Sequence, residues 1–147
     1  MARTTARLGA LAGTLALAAS MTLTNAGPAS AAPSFTFGYQ SFSNGDYTIN
    51  VYNDGVLAGS VDWYADPHGV IGPGTGDTVC ASDYLGDGYG IEAHLNGTFR
   101  QATTAGHASP YTDCTSGDIT EDTPLTLRAY VVKGGEVANS LGKTVYS

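Results

Sequence analysis

Basic residues are scarce in this sequence of 147 residues, where six Lys and Arg stand against thirteen Asp and Glu. A surface with that balance repels phosphate backbones and anionic membranes, which excludes nucleic acid as an expected partner. Long apolar runs are missing too. The run Leu8 to Ala19 is interrupted by Gly9 and Gly13 and falls short of the about 20 residues that a membrane-spanning helix needs. No window carries the 3.6-residue stripe of an amphipathic helix, so helix content beyond residue 31 is expected to be near zero. The three histidines, His68, His94 and His107, form no H-x-x-x-H or H-x-H pair, which removes the local zinc motifs. No G-x-S-x-G elbow marks a hydrolase nucleophile.

What is present begins with an export signal. Arg3 and Arg7 make a positive start, Leu8 to Ala19 form the short apolar core, and Ala29-Ser30-Ala31 is an A-x-A cleavage site. Cleavage there predicts a mature domain over residues 32–147, secreted and with no membrane insertion. Arg3 and Arg7 leave with residues 1–31, so four basic residues face thirteen acidic ones and the mature net charge is −9. An exported chain with only Cys80 and Cys114 is expected to join them in one disulfide. Such a bridge closes a loop of about 35 residues and is worth about 3 to 4 kcal/mol.

Period-two patterning with β-branched and aromatic residues runs through the mature part, which predicts an all-β domain. In "DYTINVY", Tyr47, Ile49 and Val51 alternate with Thr48, Asn50 and Tyr52. Asp54-Gly55 follows as a type I′ hairpin signal, because Asp and Gly tolerate the positive φ that both central residues need. Val56 to Tyr64 is then the return strand, with Leu57, Gly59, Val61 and Trp63 on one side and the single tryptophan in the core. The stretch "ADPHGVIGPGTG", from Ala65 to Gly76, holds too many breakers for a regular element and reads as a long loop. Strands are expected over Thr78–Ser82 and Tyr89–Leu95, the second with Glu92 and His94 outward. Asn96-Gly97 reads as another tight hairpin. "AGHASPYTDCTSGD" reads as a second long loop carrying Cys114, "LTLRAYVVK" as a strand turned by Gly134-Gly135, and "KTVYS" as a further short strand. The total is seven to nine strands in an antiparallel β-sandwich.

"GDITEDTPLTLRAYVVKGGEVANS", residues 117–140, resembles the closing half of a fibronectin type III-like domain, in which a corner leads into a strand, a glycine turn and a final strand. Ile119, Thr123, Leu125 and Leu127 occupy the matching places, with Leu125 where that family carries tyrosine. The resemblance implies a fibronectin type III/immunoglobulin-like sandwich. More broadly, "VCASDYLGDGYGIEAHL", "TTAGHASPYT" and "GDITEDT" resemble segments of small secreted proteins of actinobacteria. That likeness implies secretion and a compact β domain, and brings no activity with it.

Two candidate sites follow. In "SDYLGDGYGI", Asp83, Asp87 and Gly88 fit positions 1, 5 and 6 of a calcium loop, whereas Leu85 and His94 break positions 3 and 12. A turn closed by its own aspartates is the preferred account, and a loose calcium site on Asp83 and Asp87 is the alternative. Nine tyrosines point to a recognition surface, since tyrosine combines contact area with few rotors. Loops on a rigid sandwich commonly carry function, so Tyr64 and His68 in the first long loop and His107 and Tyr111 in the second are the expected binding rim. The functional expectation is a non-enzymatic module that needs no cofactor and binds an extracellular protein or polysaccharide. The alternatives are a small secreted hydrolase, which requires His107 beside a serine or carboxylate, and a structural envelope component.

Overall fold

The computed structural model describes residues 31–67 and 76–147, within which the compact unit runs from Ala32 to Ser147. Its nine strands are β1 (Phe35–Ser41), β2 (Tyr47–Asn53), β3 (Val56–Tyr64), β4 (Thr78–Asp83), β5 (Gly90–Asn96), β6 (Arg100–Thr103), β7 (Tyr111–Thr115), β8 (Pro124–Lys133) and β9 (Glu136–Tyr146). No helix occurs among the described residues. The strands form two antiparallel sheets, ordered β1-β2-β3-β4-β7 and β6-β5-β8-β9.

Alternation builds the space between the sheets. Ile49 and Val51 of β2, Val61 and Trp63 of β3, and Val79 and Ala81 of β4 are buried against Ile91, Ala93 and Leu95 of β5 and Leu127, Ala129 and Val131 of β8. These side chains make one apolar core, the defining feature of a β-sandwich. Trp63 is fully buried within it, and its Nε1–H donates to the Tyr146 carbonyl at 2.9 Å, which satisfies the one polar atom of the ring.

Turn chemistry sets the connections. Asp54 and Gly55 both adopt positive φ, at 49° and 83°, so the β2–β3 hairpin has the tight turn the dipeptide demands. Gly134 and Gly135 do the same between β8 and β9, at 60° and 84°.

Four expectations need correction. Leu57 is 43% exposed: a bulge pairs Val51 with Gly59 but Tyr52 with Leu57, so Ala58 is the extra residue and Leu57 turns outward. The β5–β6 connection is wider than a two-residue turn, since Leu95 pairs with Arg100 and Thr98 folds back to donate both its N–H and its hydroxyl to the Leu95 carbonyl. Five of the fourteen residues of the second long loop form a strand, β7, which pairs with β4. "KTVYS" is no separate strand, because β9 runs unbroken through Lys143 to Tyr146.

The disulfide is formed between Cys80 of β4 and Cys114 of β7. The two residues stand directly opposite in the ladder, Cα to Cα 4.1 Å, so the bridge lies within one sheet and fastens its edge strand. Side chains close the same flank between the sheets. Asp113 of β7 accepts from the Thr103 N–H of β6 at 3.0 Å, and the Thr115 hydroxyl donates to the Gln101 carbonyl at 2.8 Å.

Candidate functional site

Strand direction decides which loops meet. Tyr64, at the end of β3, pairs with Thr78 at the start of β4, whereas Tyr111 pairs with Asp83 at its other end. Five residue steps at about 3.3 Å put these positions about 17 Å apart along the strand. The expected rim is therefore divided: Tyr64 belongs to one end of the sandwich, His107 and Tyr111 to the opposite end. His68 lies outside the described residues.

At the His107 end the β4–β5 bend, the β6–β7 loop and the β8–β9 turn enclose a cleft of about 460 Å³. Its chemistry comes from Asp83, Tyr89, Glu92, His107, Ser109 and Lys133, between stretches of bare glycine backbone. The His107 ring stacks flat on Tyr111, centroids 3.9 Å apart and planes within 6°. Tyr89 meets Phe35 edge-on at 4.8 Å and carries the Lys133 ammonium 4.4 Å above its ring. Glu92 is held from two sides, accepting from the Thr103 hydroxyl at 3.2 Å through Oε1 and lying 3.4 Å from His94 Nε2 through Oε2. Gly90 lets the β6–β7 loop approach closely, since a Cβ there would lie 3.0 Å from the Ala105 backbone.

The aspartates of the bend close it. Asp83 Oδ1 accepts from the Leu85 N–H at 3.1 Å, and Asp87 Oδ1 from the Tyr89 N–H at 2.9 Å, each two residues ahead in the Asx-turn manner. Asp83 Oδ2 takes the Ser109 hydroxyl, which ties the bend to the β6–β7 loop. Asp87 Oδ2 accepts from Asn53 Nδ2 at 2.6 Å, and Gly88 turns the chain at a φ of 79°. Among the described residues no three His, Cys, Asp or Glu side chains gather as a metal site.

His107 has no serine or carboxylate within hydrogen-bonding distance; its ring partner is Tyr111, and the Ser109 hydroxyl hydrogen goes to Asp83. The serine–base pair that a hydrolase needs is not assembled by these two residues.

The chain matches no protein-family model, no curated protein and no solved structure.

Tyr64 sits in a different environment, on the outer face of β3. Burial raises its phenol above the ordinary 10.0, and Asp62, Asp46 and Tyr84 push the same way. Asp62 anchors a short network there, accepting from Thr48 and Ser60 at 2.7 Å each. Ser60 has a single hydroxyl hydrogen and gives it to Asp62, so the Tyr84 hydroxyl, 2.8 Å away, is the donor to Ser60. A second cleft, of about 470 Å³, opens at this end beside Asp66, Asp77, Asp118 and Glu121. Asp77 Oδ2 is already engaged by the Ile119 N–H at 2.6 Å.

Glu92, Tyr89, Ser109 and Lys133 join the cleft without having stood out in the sequence. The signal that marks them is the recurrence of glycine at 86, 88, 90, 106, 134 and 135, which strips three separate connections of side chains where they converge.

Proposed function

We propose that this protein is a secreted, non-enzymatic β-sandwich module that binds an extracellular protein or cell-surface polymer in the cleft between the β4–β5, β6–β7 and β8–β9 connections. The observation that carries the reading is the convergence of three loops from both sheets on one cleft of about 460 Å³ that combines charged groups with apolar surface, with the His107–Tyr111 stack at its rim. That volume falls in the range of ligand sites, and rigid strands positioning recognition loops is how sandwiches commonly work. The fixed roles of Ser109 and His107 favour binding over hydrolysis. The disulfide fits an oxidising compartment outside the cell, as does the export signal.

The sandwich belongs, on this reading, to the fibronectin type III/immunoglobulin-like class. Its support is the pairing of β4 with β7 and of β5 with β8, three strands apart in each sheet, which is the Greek-key crossing of such domains. Leu125, where the fibronectin corner carries tyrosine, is buried in the core.

The test is retention. The oxidised protein is immobilised and exposed to secreted proteins and cell-wall polymers, with calcium and with chelator. Specific retention that is lost in Glu92→Gln/His107→Ala supports the reading. Self-association with no other retained partner would move the assignment to a structural envelope component.

A further inference from the structure

Resting on the reading of the cleft as a binding site, we propose that its ligand is a neutral, hydroxyl-rich saccharide chain, with one sugar in the main cleft and the next beyond Tyr89 and Lys133.

Charge removes the first competing class. Lys133 is the only Lys or Arg in the lining, set against the carboxylates of Asp83 and Glu92. The mature chain adds a net charge of −9, so phosphate-rich or uronic polymers meet repulsion from both the site and the molecule.

Strand pairing removes the second. An extended peptide binds a sheet by adding to a free edge. The cleft is built on β4, β5 and β8, each of which has partners on both sides, so no row of open N–H and C=O groups faces it. Its aliphatic side chains are only Ala105, Ala108 and Val132, and the rest of its apolar surface includes the Tyr89 and His107 rings, flat groups that suit a sugar face better than an inserted peptide side chain.

What remains matches a sugar. A hydroxyl both donates and accepts, and the cleft offers both partners: the held carboxylate of Glu92 as acceptor and the Lys133 ammonium as donor. Gly86, Gly88, Gly90, Gly106, Gly134 and Gly135 leave backbone groups reachable without intervening side chains. The exposed His107 ring, backed by Tyr111 at 3.9 Å, is a rigid flat platform of the kind on which the C–H face of a sugar ring rests. A third hollow, of about 260 Å³ and lined by Tyr89, Lys133, Glu136, Val137 and Ala138, shares Tyr89 and Lys133 with the His107 cleft. Two adjoining hollows separated by one Tyr–Lys ridge suit consecutive units of a chain rather than a lone monosaccharide.

The experiment is an amide NMR titration of the purified, oxidised protein, with calorimetry alongside. The probes are cello-, xylo- and chito-oligosaccharides, a uronic acid oligomer, an unstructured peptide and whatever protein the retention assay isolates. At least one neutral oligosaccharide is expected to shift amides of residues 86–90, 104–109 and 133–138, and longer oligomers are expected to bind more tightly than the disaccharide. Glu92→Gln, which keeps the acceptor for Thr103, is expected to weaken that binding about 10-fold. Cleft shifts produced only by the uronic oligomer, the peptide or the isolated protein would overturn the saccharide assignment and leave the binding reading standing. No cleft shift with any probe, from a protein that melts like the parent, would overturn both.

Discussion

Tyr64 shows how a single side chain reports its surroundings. Burial disfavours the phenolate, and the carboxylates of Asp62 and Asp46 add to the effect, so its pKa lies above the ordinary 10.0. The folded protein keeps a proton that the unfolded chain releases. The stability from this residue is therefore complete below pH 10.0 and is lost as the pH rises through the folded pKa. An ultraviolet phenolate titration of the parent minus Tyr64→Phe isolates the residue. Asp62→Asn should move the midpoint down but not back to 10.0, because burial, the larger cause, persists. A midpoint at or below the ordinary value would contradict the account. Trp63 is the residue that sequence and structure agree on most closely: alternation placed it inward, and it is fully buried with its N–H satisfied. Trp63→Ala should cost about 3 to 5 kcal/mol in urea denaturation.

Elements were readable where local chemistry decides them and obscure where distant pairing does. The β2–β3 hairpin follows from Asp54-Gly55 alone, so Gly55→Ala, with nothing within 4 Å of the new methyl, should cost only the backbone strain of about 1 kcal/mol. Gly59 lies within β3 at a φ that other residues adopt, yet a Cβ there would come 2.3 Å from the Ser82 carbonyl and 2.7 Å from Ile91. Gly59→Ala should cost about 3 kcal/mol or more, and urea midpoints of the two variants compare them directly. Nothing in the local sequence near Ala58 announces the bulge, because it arises in register with β2. The strand β7 was hidden for a related reason: "YTDCT" is short and polar, and what makes it a strand is the partner it finds in β4. Its disulfide closes a 34-residue separation, and its removal in Cys80→Ser/Cys114→Ser should lower stability by about 3 to 4 kcal/mol. A loss below about 1 kcal/mol would mean that β7 is held by its side-chain and ladder bonds instead.

At the scale of the molecule, the fold class was legible and the site only half so. Period-two alternation gave an all-β chain, and two cysteines gave the bridge. His107 and Tyr111 were picked as loop residues and do meet, stacked at the cleft. Tyr64 does not join them, because three strands, β4, β5 and β6, separate the two loops, and an odd number of antiparallel strands puts loops at opposite ends. The remaining lining residues come from three connections far apart in the chain, a convergence that only the packing of the two sheets creates. The most direct measurement compares the two ends in one retention assay: Glu92→Gln/His107→Ala for the cleft, and Asp62→Asn/Tyr64→Phe for the opposite end. If the cleft is the binding site, retention by the first variant falls about 10-fold or more while the second retains as the parent does. Loss confined to the second variant would contradict the account and place recognition at the Tyr64 end.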